Sequence, residues 1–202
     1  MNNNFFNQKK QFFDSWAFNY DILLTTVFYQ AVHKRLLEFV NIPQDAYILD
    51  IGCGTGKLLN RILKKFPEVF GIGVDLSPQM LRQARKNKCF PKREIFVKGN
   101  AENLPFSENQ FNAIFNTISF LHYPHPEKVL EDIQRILTPD GYYYLADYTS
   151  YFKQNTMPFS PGGIHFYTPQ QREIMGKKVG LKAINHHYLL NNVVLTIFIH
   201  EK

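Results

Sequence analysis

A mostly parallel α/β sheet, covered by helices on both faces and closed by one antiparallel hairpin, is the fold this sequence predicts. Apolar runs of strand length alternate with helical repeats between residues 46 and 148, the pattern of successive strand–helix–strand units. The first such run empties into a turn with three glycines at alternate positions, Gly52, Gly54 and Gly56. The chain ends in two strand-like runs parted only by Asn191-Asn192. Both residues tolerate positive φ, so they predict a hairpin whose last strand runs antiparallel to its neighbour.

In chain order, residues 16–40 are helical in pattern and lead into Pro43. Ala46–Ile51 is the first strand. Leu58, Leu59, Ile62, Leu63 and Phe66 then recur at helical spacing from Lys57. Phe70–Val74 is the second strand. Asp75-Leu76-Ser77-Pro78 opens the next helix, with Ser77 as N-cap and Pro78 at the first helical position. Glu94–Lys98 and Phe111–Asn116 are the third and fourth strands. Val129, Leu130, Ile133, Ile136 and Leu137 mark a helix, Thr138-Pro139-Asp140-Gly141 a turn, and Tyr142–Asp147 the fifth strand. Thr168-Pro169-Gln170-Gln171 has the form of a capping box and opens a helix that stops at Gly180. Lys182–Leu190 and Val193–His200 form the hairpin.

The 202 residues are expected to form one domain, 1–202, with a helical N-terminal cover over 1–42 and a candidate substrate lid over 148–167. A hydrophobic content of 45% excludes a disordered chain. The longest apolar run, near Val193–Ile199, falls well short of the ~20 residues of a membrane helix, so no membrane insertion is expected. Met1–Asn4 is polar and uncharged, unlike a secretory leader. Neither Cys53 nor Cys89 belongs to a metal-binding spacing, so no metal is expected, and the reducing cytoplasm is the expected location. The net charge of +6 is uneven: residues 1–100 carry 15 Lys/Arg against 8 Asp/Glu. The excess peaks at Arg82, Arg85, Lys86, Lys88, Lys92, Arg93 and Lys98. Such a run can attract nucleic acid or an acidic substrate, but a solvated helix face and the following loop is the commoner meaning.

The glycine turn carries the chemistry. Glycines let a backbone turn sharply and lie flat against a ligand, and the helix that follows offers its positive end and free N–H groups. The dinucleotide fingerprint is G-x-G-x-x-G, whereas the spacing here is G-x-G-x-G with Asp50 before it. No pyrophosphate is implied, and the Asp50 carboxylate stands where a cationic group can sit. Cys53 lies inside the loop. Asp75, 19 residues after Gly56, ends the second strand, where an acid can accept hydrogen bonds from both ribose hydroxyls. Leu76 and Met80 follow it and can pack on a base.

Tyr47–Lys57 resembles motif I of the class I S-adenosylmethionine-dependent methyltransferases. Gly99-Asn100-Ala101-Glu102-Asn103-Leu104-Pro105-Phe106 is similar to that family's D-A-E-x-L-P-F segment, with Asn100 in place of the usual Asp. Phe111–Asn116 resembles the fourth-strand motif, and Phe13-Asp14-Ser15-Trp16-Ala17-Phe18-Asn19-Tyr20-Asp21 the F-D-x-x-A-x-x-Y-D opening of the ubiquinone/menaquinone-biosynthesis group. The resemblance implies a Rossmann-like three-layer sandwich with a seven-stranded sheet. It further implies S-adenosyl-L-methionine as cofactor, with S-adenosyl-L-homocysteine as product. It sets Asn100, Ala101 and Glu102 against the adenine edge, Asn116 and Thr117 beside the methionine moiety, and Tyr20 over the cofactor.

The function expected is methyl transfer by in-line displacement to a small acceptor. The acceptor is expected to be aromatic or apolar, because Tyr148–Tyr167 is rich in Tyr and Phe. Proximity alone can supply about 7–11 kcal/mol of such a barrier, so no catalytic residue is required. The candidates for a base are His122, after the fourth strand, and His165, within the lid. His186 and His187 are adjacent on a strand and point to opposite faces, so they are not a metal pair. Two alternatives stand beside this reading: an RNA or protein methyltransferase, and a non-catalytic S-adenosylmethionine-binding protein. No Asn-Pro-Pro-Tyr motif follows the fourth strand, where the sequence is Asn116-Thr117-Ile118-Ser119. That argues against the amino-group methylases that use it.

Overall fold

β1 (Tyr47–Ile51) lies in the middle of a seven-stranded sheet, and all its residues but Tyr47 are buried. A strand covered on both faces needs that continuous apolar run. The computed structural model describes residues 7–11, 14, 23–149, 156–157 and 163–201. Before β1 comes α1 (Leu23–Leu36). After it the chain winds outward through α2 (Lys57–Lys65), β2 (Phe70–Asp75), α3 (Pro78–Lys86) and β3 (Glu94–Lys98). It then returns to the other side of β1 as β4 (Phe111–Thr117), α4 (Pro126–Ile136) and β5 (Leu137–Tyr148). A two-residue pair, β6 (Thr156–Met157) and β7 (Ile164–His165), forms a separate ribbon. α5 (Pro169–Lys178), β8 (Leu181–Leu190) and β9 (Val193–His200) complete the chain.

The strand order is β3-β2-β1-β4-β5-β9-β8. β1 to β5 pair in parallel, and β9 runs antiparallel to both of its neighbours. The predicted hairpin therefore forms, with Asn191 at φ 47° in its turn. The winding direction reverses between β1 and β4. In open α/β sheets the crevice at the carboxyl ends of the strands at such a reversal is where ligands bind.

Each face of the sheet has its own core. On one, Val32 and Leu36 of α1, Leu58, Leu59, Ile62 and Leu63 of α2, and Leu81 and Ala84 of α3 pack over Ile48, Ala113 and Phe115. On the other, Val129, Leu130 and Ile133 of α4 pack with Leu49, Ile51, Ile114, Tyr143 and Phe198. Helix boundaries follow the local signals. The Ser77 hydroxyl accepts from Met80 N, with Pro78 in the first turn. Thr168 and Gln171 form the full capping box of α5.

The structure differs from the sequence reading at Thr138–Gly141. The predicted turn is an irregularity inside β5: Phe111 pairs with Leu137, and the next pair is Ala113 with Tyr142. Pro139 and Asp140 are exposed there. A bulge tolerates a proline, which cannot donate to the ladder. The expected helix over 16–40 is described as α1 only from Leu23. His186 and His187 do face opposite ways. His186 contacts Thr196 (3.0 Å) and Glu173 (2.8 Å), while His187 stacks on Phe39.

One buried cation ties the C-terminal elements to the site's edge of the sheet. Arg172, in the first turn of α5, is 2% exposed. Its guanidinium donates to the carbonyls of Val194 (2.8 Å), Asp147 (2.9 Å), Tyr148 (3.2 Å) and Tyr167 (3.2 Å), and to the Thr196 hydroxyl (3.3 Å). Removing it strands several buried acceptors. We expect Arg172→Leu to destabilise the fold by about 3 kcal/mol or more, read as a lower urea midpoint. A loss under about 1 kcal/mol would show that these bonds contribute little beyond what water provides.

Candidate active site

The glycine loop leaves β1 and is at once held by β2. Gly52 N and Cys53 N both donate to Val74 O (2.8 and 3.0 Å), and Gly54 N donates to Asp75 Oδ2 (2.8 Å). All three glycines have positive φ, at 70°, 52° and 77°. A β-carbon at Gly52 would strike Ser119 at 2.6 Å, and one at Gly56 would strike Phe96 at 2.7 Å. At Gly54 a β-carbon would meet nothing within 4 Å. That face of the loop opens into a cleft.

The cleft has an empty volume of about 830 Å3, its open mouth included. Gly52 and Gly54 form its floor, and Asp75, Leu76 and Met80 line one side. Asn100, Ala101 and Glu102 line another, and Thr117, His122 and Tyr123 close the far end. A second cavity of about 480 Å3 shares Gly52, Gly54 and Thr117 with the first. It is further lined by Asp50, Cys53, Thr55 and Lys57 of the loop and α2, and by Tyr29 and His33 of α1. The two meet across the loop, at the reversal point of the sheet.

Two carboxylates stand over the loop. Asp50 is 2% exposed. Burial, with the neighbouring Asp75 charge, pushes its carboxyl well above the usual carboxylate range. Its Oδ2 has no hydrogen-bond partner among the described residues. A buried acceptor left unpaired is costly and calls for an explanation, and a cation entering the cavity would both pair it and restore its charge. Asp75 is tied down by Ser77 N at Oδ1 and by Gly54 N at Oδ2, both at 2.8 Å. Burial raises it to about 6 against the pull of those N–H groups. Burial, followed by the charges of Asp75 and Asp50, also raises the Cys53 thiol well above its ordinary value. Cys53 is free and inert as a nucleophile in that setting.

Most sequence-predicted residues converge here, and several acquire defined local bonds. Asn100 Oδ1 accepts from Glu102 N (3.1 Å), and Glu102 Oε1 accepts from His125 N (3.0 Å) at the start of α4. Asn116 departs from expectation. It is wholly buried and lines neither cavity. Its amide nitrogen donates to Ile51 O (2.7 Å) and lies against the hydroxyls of Ser119 (2.6 Å) and Tyr123 (3.0 Å). Asn116 thus braces β4 against β1 beneath the cleft, while Thr117, one residue on, faces both cavities with a buried and unpartnered hydroxyl. Tyr20 lies outside the described residues.

Of the two base candidates, only His122 lines the cleft. Burial, then the Lys9 charge, holds its imidazole down at about 3, so it is neutral and a poor base at ordinary pH. His165 sits in β7, outside both cavities.

Sequence reasoning missed three contributors. Lys9 is 4% exposed and lines the cleft. Its ammonium donates to His122 O (2.8 Å) and Gly163 O (3.4 Å), joining the N-terminal segment to the stretch after β4 and to the start of the β7 segment. Asp14 accepts from Ser77 Oγ (2.5 Å) and Gln79 N (3.4 Å) at the start of α3. Ile118 holds φ 50°, a strained conformation for a β-branched residue, while lining the cleft. Lys9 carries no local signal, because its partners lie in distant elements. Asp14 stood within the opening stretch that resembled the family.

Comparison with known proteins agrees with this geometry. Residues 48–141, which span the loop, both carboxylates and β4, match the methyltransferase domain family. The chain is 32% identical over 124 residues to a malonyl-[acyl-carrier protein] O-methyltransferase of Geobacter sulfurreducens, covering 58% of this chain and 46% of that one. It is 29% identical over 189 residues to a demethylmenaquinone methyltransferase of Desulfitobacterium hafniense, covering 90% of this chain and 73% of that one. The chain thus spans about half the length of the first of these relatives. A chain of the Haloferax volcanii complex between the Trm112 methyltransferase activator and a methyltransferase superposes with a TM-score of 0.84 at 19% identity, covering 94% of this chain and 98% of that one. The chain's glycine loop, paired buried carboxylates and strand order are thus similar to those of methyltransferases, and residues 48–141 match the methyltransferase domain family.

Proposed function

We propose that the chain is an S-adenosylmethionine-dependent methyltransferase acting on a small acceptor with an aromatic or apolar body. The observation that carries this reading is the pair of joined cavities around Gly54, one walled by Asp75 and the other by the unpartnered Asp50 carboxylate. The residues suit a ligand with a cationic amino-acid end, a ribose and a base. In this reading Asp50 faces the cationic end, and Asp75 accepts from the ribose hydroxyls. Leu76 and Met80 cover one side of the base, and Asn100, Ala101 and Glu102 its edge. When bound, the cofactor supplies a methyl group already activated by its sulfonium. The protein's own work is then alignment and exclusion of water.

The acceptor side is assigned to Thr117, His122 and Tyr123 at the far end of the cleft. Neutral His122 orients an acceptor there rather than ionising it. Phe120 meets Tyr167 edge-on and Phe28 stacks on Tyr148, but none of the four lines either cavity, so the aromatic acceptor rests on the Tyr- and Phe-rich run 148–167. Most of the proposed lid over 148–167 and part of the cover over 1–42 lie outside the described residues, so both stay proposals on sequence grounds, as does a single domain over 1–202. Two members of the basic run serve the fold, which weakens the nucleic-acid alternative. Arg85 donates to Phe96 O (2.9 Å), and Arg93 donates to the carbonyls of Leu63, Phe66 and Val69. Among the described residues no helix is long and apolar enough to cross a membrane.

The first test is thermal unfolding with S-adenosylhomocysteine, run beside NADH. Saturation at about 100 times Kd adds about 2.7 kcal/mol and should raise the midpoint by ~2–4 °C, with no response to NADH. A labelled-methyl screen of metabolites then identifies the acceptor. Absence of a shift would remove the cofactor assignment, and a shift without transfer to any acceptor pool would favour a non-catalytic binding protein.

Asp75 predicts a pH dependence of binding. Ribose hydroxyls donate, so they favour the ionised carboxylate, and binding must lower a pKa that stands at about 6 in the free protein. Affinity for S-adenosylhomocysteine should therefore fall as pH drops below about 6, with proton release on binding near that pH. Asp75→Ala should bind about 1.5–3 kcal/mol more weakly at neutral pH and lose this pH dependence, both read by calorimetry. A wild-type profile in the variant would take Asp75 out of the site.

Gly54→Val is expected to abolish binding. Its side chain would project into the open cleft, and φ 52° disfavours a β-branched residue. Circular dichroism should show a retained fold, and unchanged affinity would contradict the loop assignment.

A further inference from the structure

The second cavity has a chemistry of its own. Asp50, with its unpartnered Oδ2, forms one wall, and Tyr29, His33 and Lys57 form others. A carboxylate set with a hydroxyl, an imidazole and an ammonium suits a small zwitterion better than an apolar body or a simple cation. The cavity reaches the main cleft across Gly52, Gly54 and Thr117. A ligand with a nucleoside in the cleft can therefore extend a short polar arm into it.

His33 is 7% exposed, on the last turn of α1. Its Nδ1 lies 3.3 Å from Nη1 of Arg61, which also donates to Lys57 O one turn earlier in α2 (3.3 Å). A guanidinium has only donors, so Nδ1 must accept, and the ring proton sits on Nε2. Burial, then the charges of Arg61 and Lys57, holds the imidazole at about 3, so this neutral form persists at ordinary pH. Arg61 thus acts as a positioning residue that sets the tautomer of a buried N–H donor.

We propose that His33, held as the Nε2–H tautomer by Arg61, donates to the α-carboxylate of the cofactor's amino-acid end, with Asp50 taking the α-ammonium across the same cavity. This assignment rests on the S-adenosylmethionine reading above. It makes the N-terminal helix α1 part of cofactor selection: His33 discriminates ligands that carry an amino-acid arm from those that end at the thioether.

The test compares two ligands by calorimetry on the full chain. S-Adenosylhomocysteine carries the arm, while 5′-methylthioadenosine has the same nucleoside and thioether without it. His33→Leu should weaken S-adenosylhomocysteine about ten- to a hundredfold, the range for a hydrogen bond to a charged group, and leave methylthioadenosine unchanged. His33→Gln, which keeps an N–H donor, should recover most of the loss, and Arg61→Met should fall between. Equal weakening of both ligands would reduce His33 to a packing residue, and no weakening would remove it from the site; either overturns the proposal. If the wild type binds both ligands equally well, the cofactor reading stands and this use of the cavity falls. If it binds neither, the methyltransferase reading fails and takes the assignment with it.

Discussion

The bond from Gly54 N to Asp75 Oδ2, together with the two loop N–H groups on Val74 O, is the constraint on which the rest of the site depends. It fastens a loop that belongs to β1 onto the end of β2. Free backbone at a strand end would otherwise satisfy its N–H groups with water and take many shapes. Fastened, the loop presents one open face, at Gly54, and two closed ones, at Gly52 against Ser119 and Gly56 against Phe96. The same bond pulls the Asp75 pKa down against the burial that raises it, so the loop's order and the site's electrostatics are coupled.

Carboxylates held this way are poised rather than relaxed. Burial disfavours the charge on both Asp50 and Asp75, the Asp75 charge adds to the effect at Asp50, and the free protein carries that cost. A ligand with a cationic group and hydroxyl donors relieves it. Strain at Ile118 adds to the same edge, where β4 gives way to the stretch that closes the cleft. Such concentrations of strain and unpaired polarity are tolerated only where the surrounding core is over-determined, and here both faces of the sheet are packed beneath the site.

Closure of the cleft falls to elements remote from each other in sequence. Asp14 joins the N-terminal segment to the start of α3, Lys9 joins it to His122 and Gly163, and Asp147 accepts from Leu121 N (3.0 Å) to hold the turn after β4 against β5. In the proposed reading the motif residues line the cofactor's path. These long-range bonds shape the end where an acceptor would stand, which is why relatives that share the loop can carry different substrates.

Much of the architecture was legible in the sequence because its causes are local. Strand and helix periods, the Ser77 cap, the Thr168–Gln171 box and the Asn191-Asn192 turn all depend on residues within a few positions of one another. The glycine loop with Asp50 and Asp75 was legible for the same reason, since spacing and strand ends place them. Thr138–Gly141 misled because Pro, Asp and Gly serve a bulge as well as a turn, and only pairing with β4 distinguishes the two. Asn116 misled because alternation along a strand assigns a face but not what fills it. Its amide reaches three partners that folding brings beneath the cleft, while Thr117 lines both cavities. By itself, then, the sequence determined the order of elements, the loop and the resemblance to methyltransferases. Only the tertiary structure decided which polar groups remain unpaired, how far burial moves Asp75 and His33, and that α1 faces Asp50 across a second cavity. Desolvation and long-range pairing are properties of the packed whole, and no window of residues contains them.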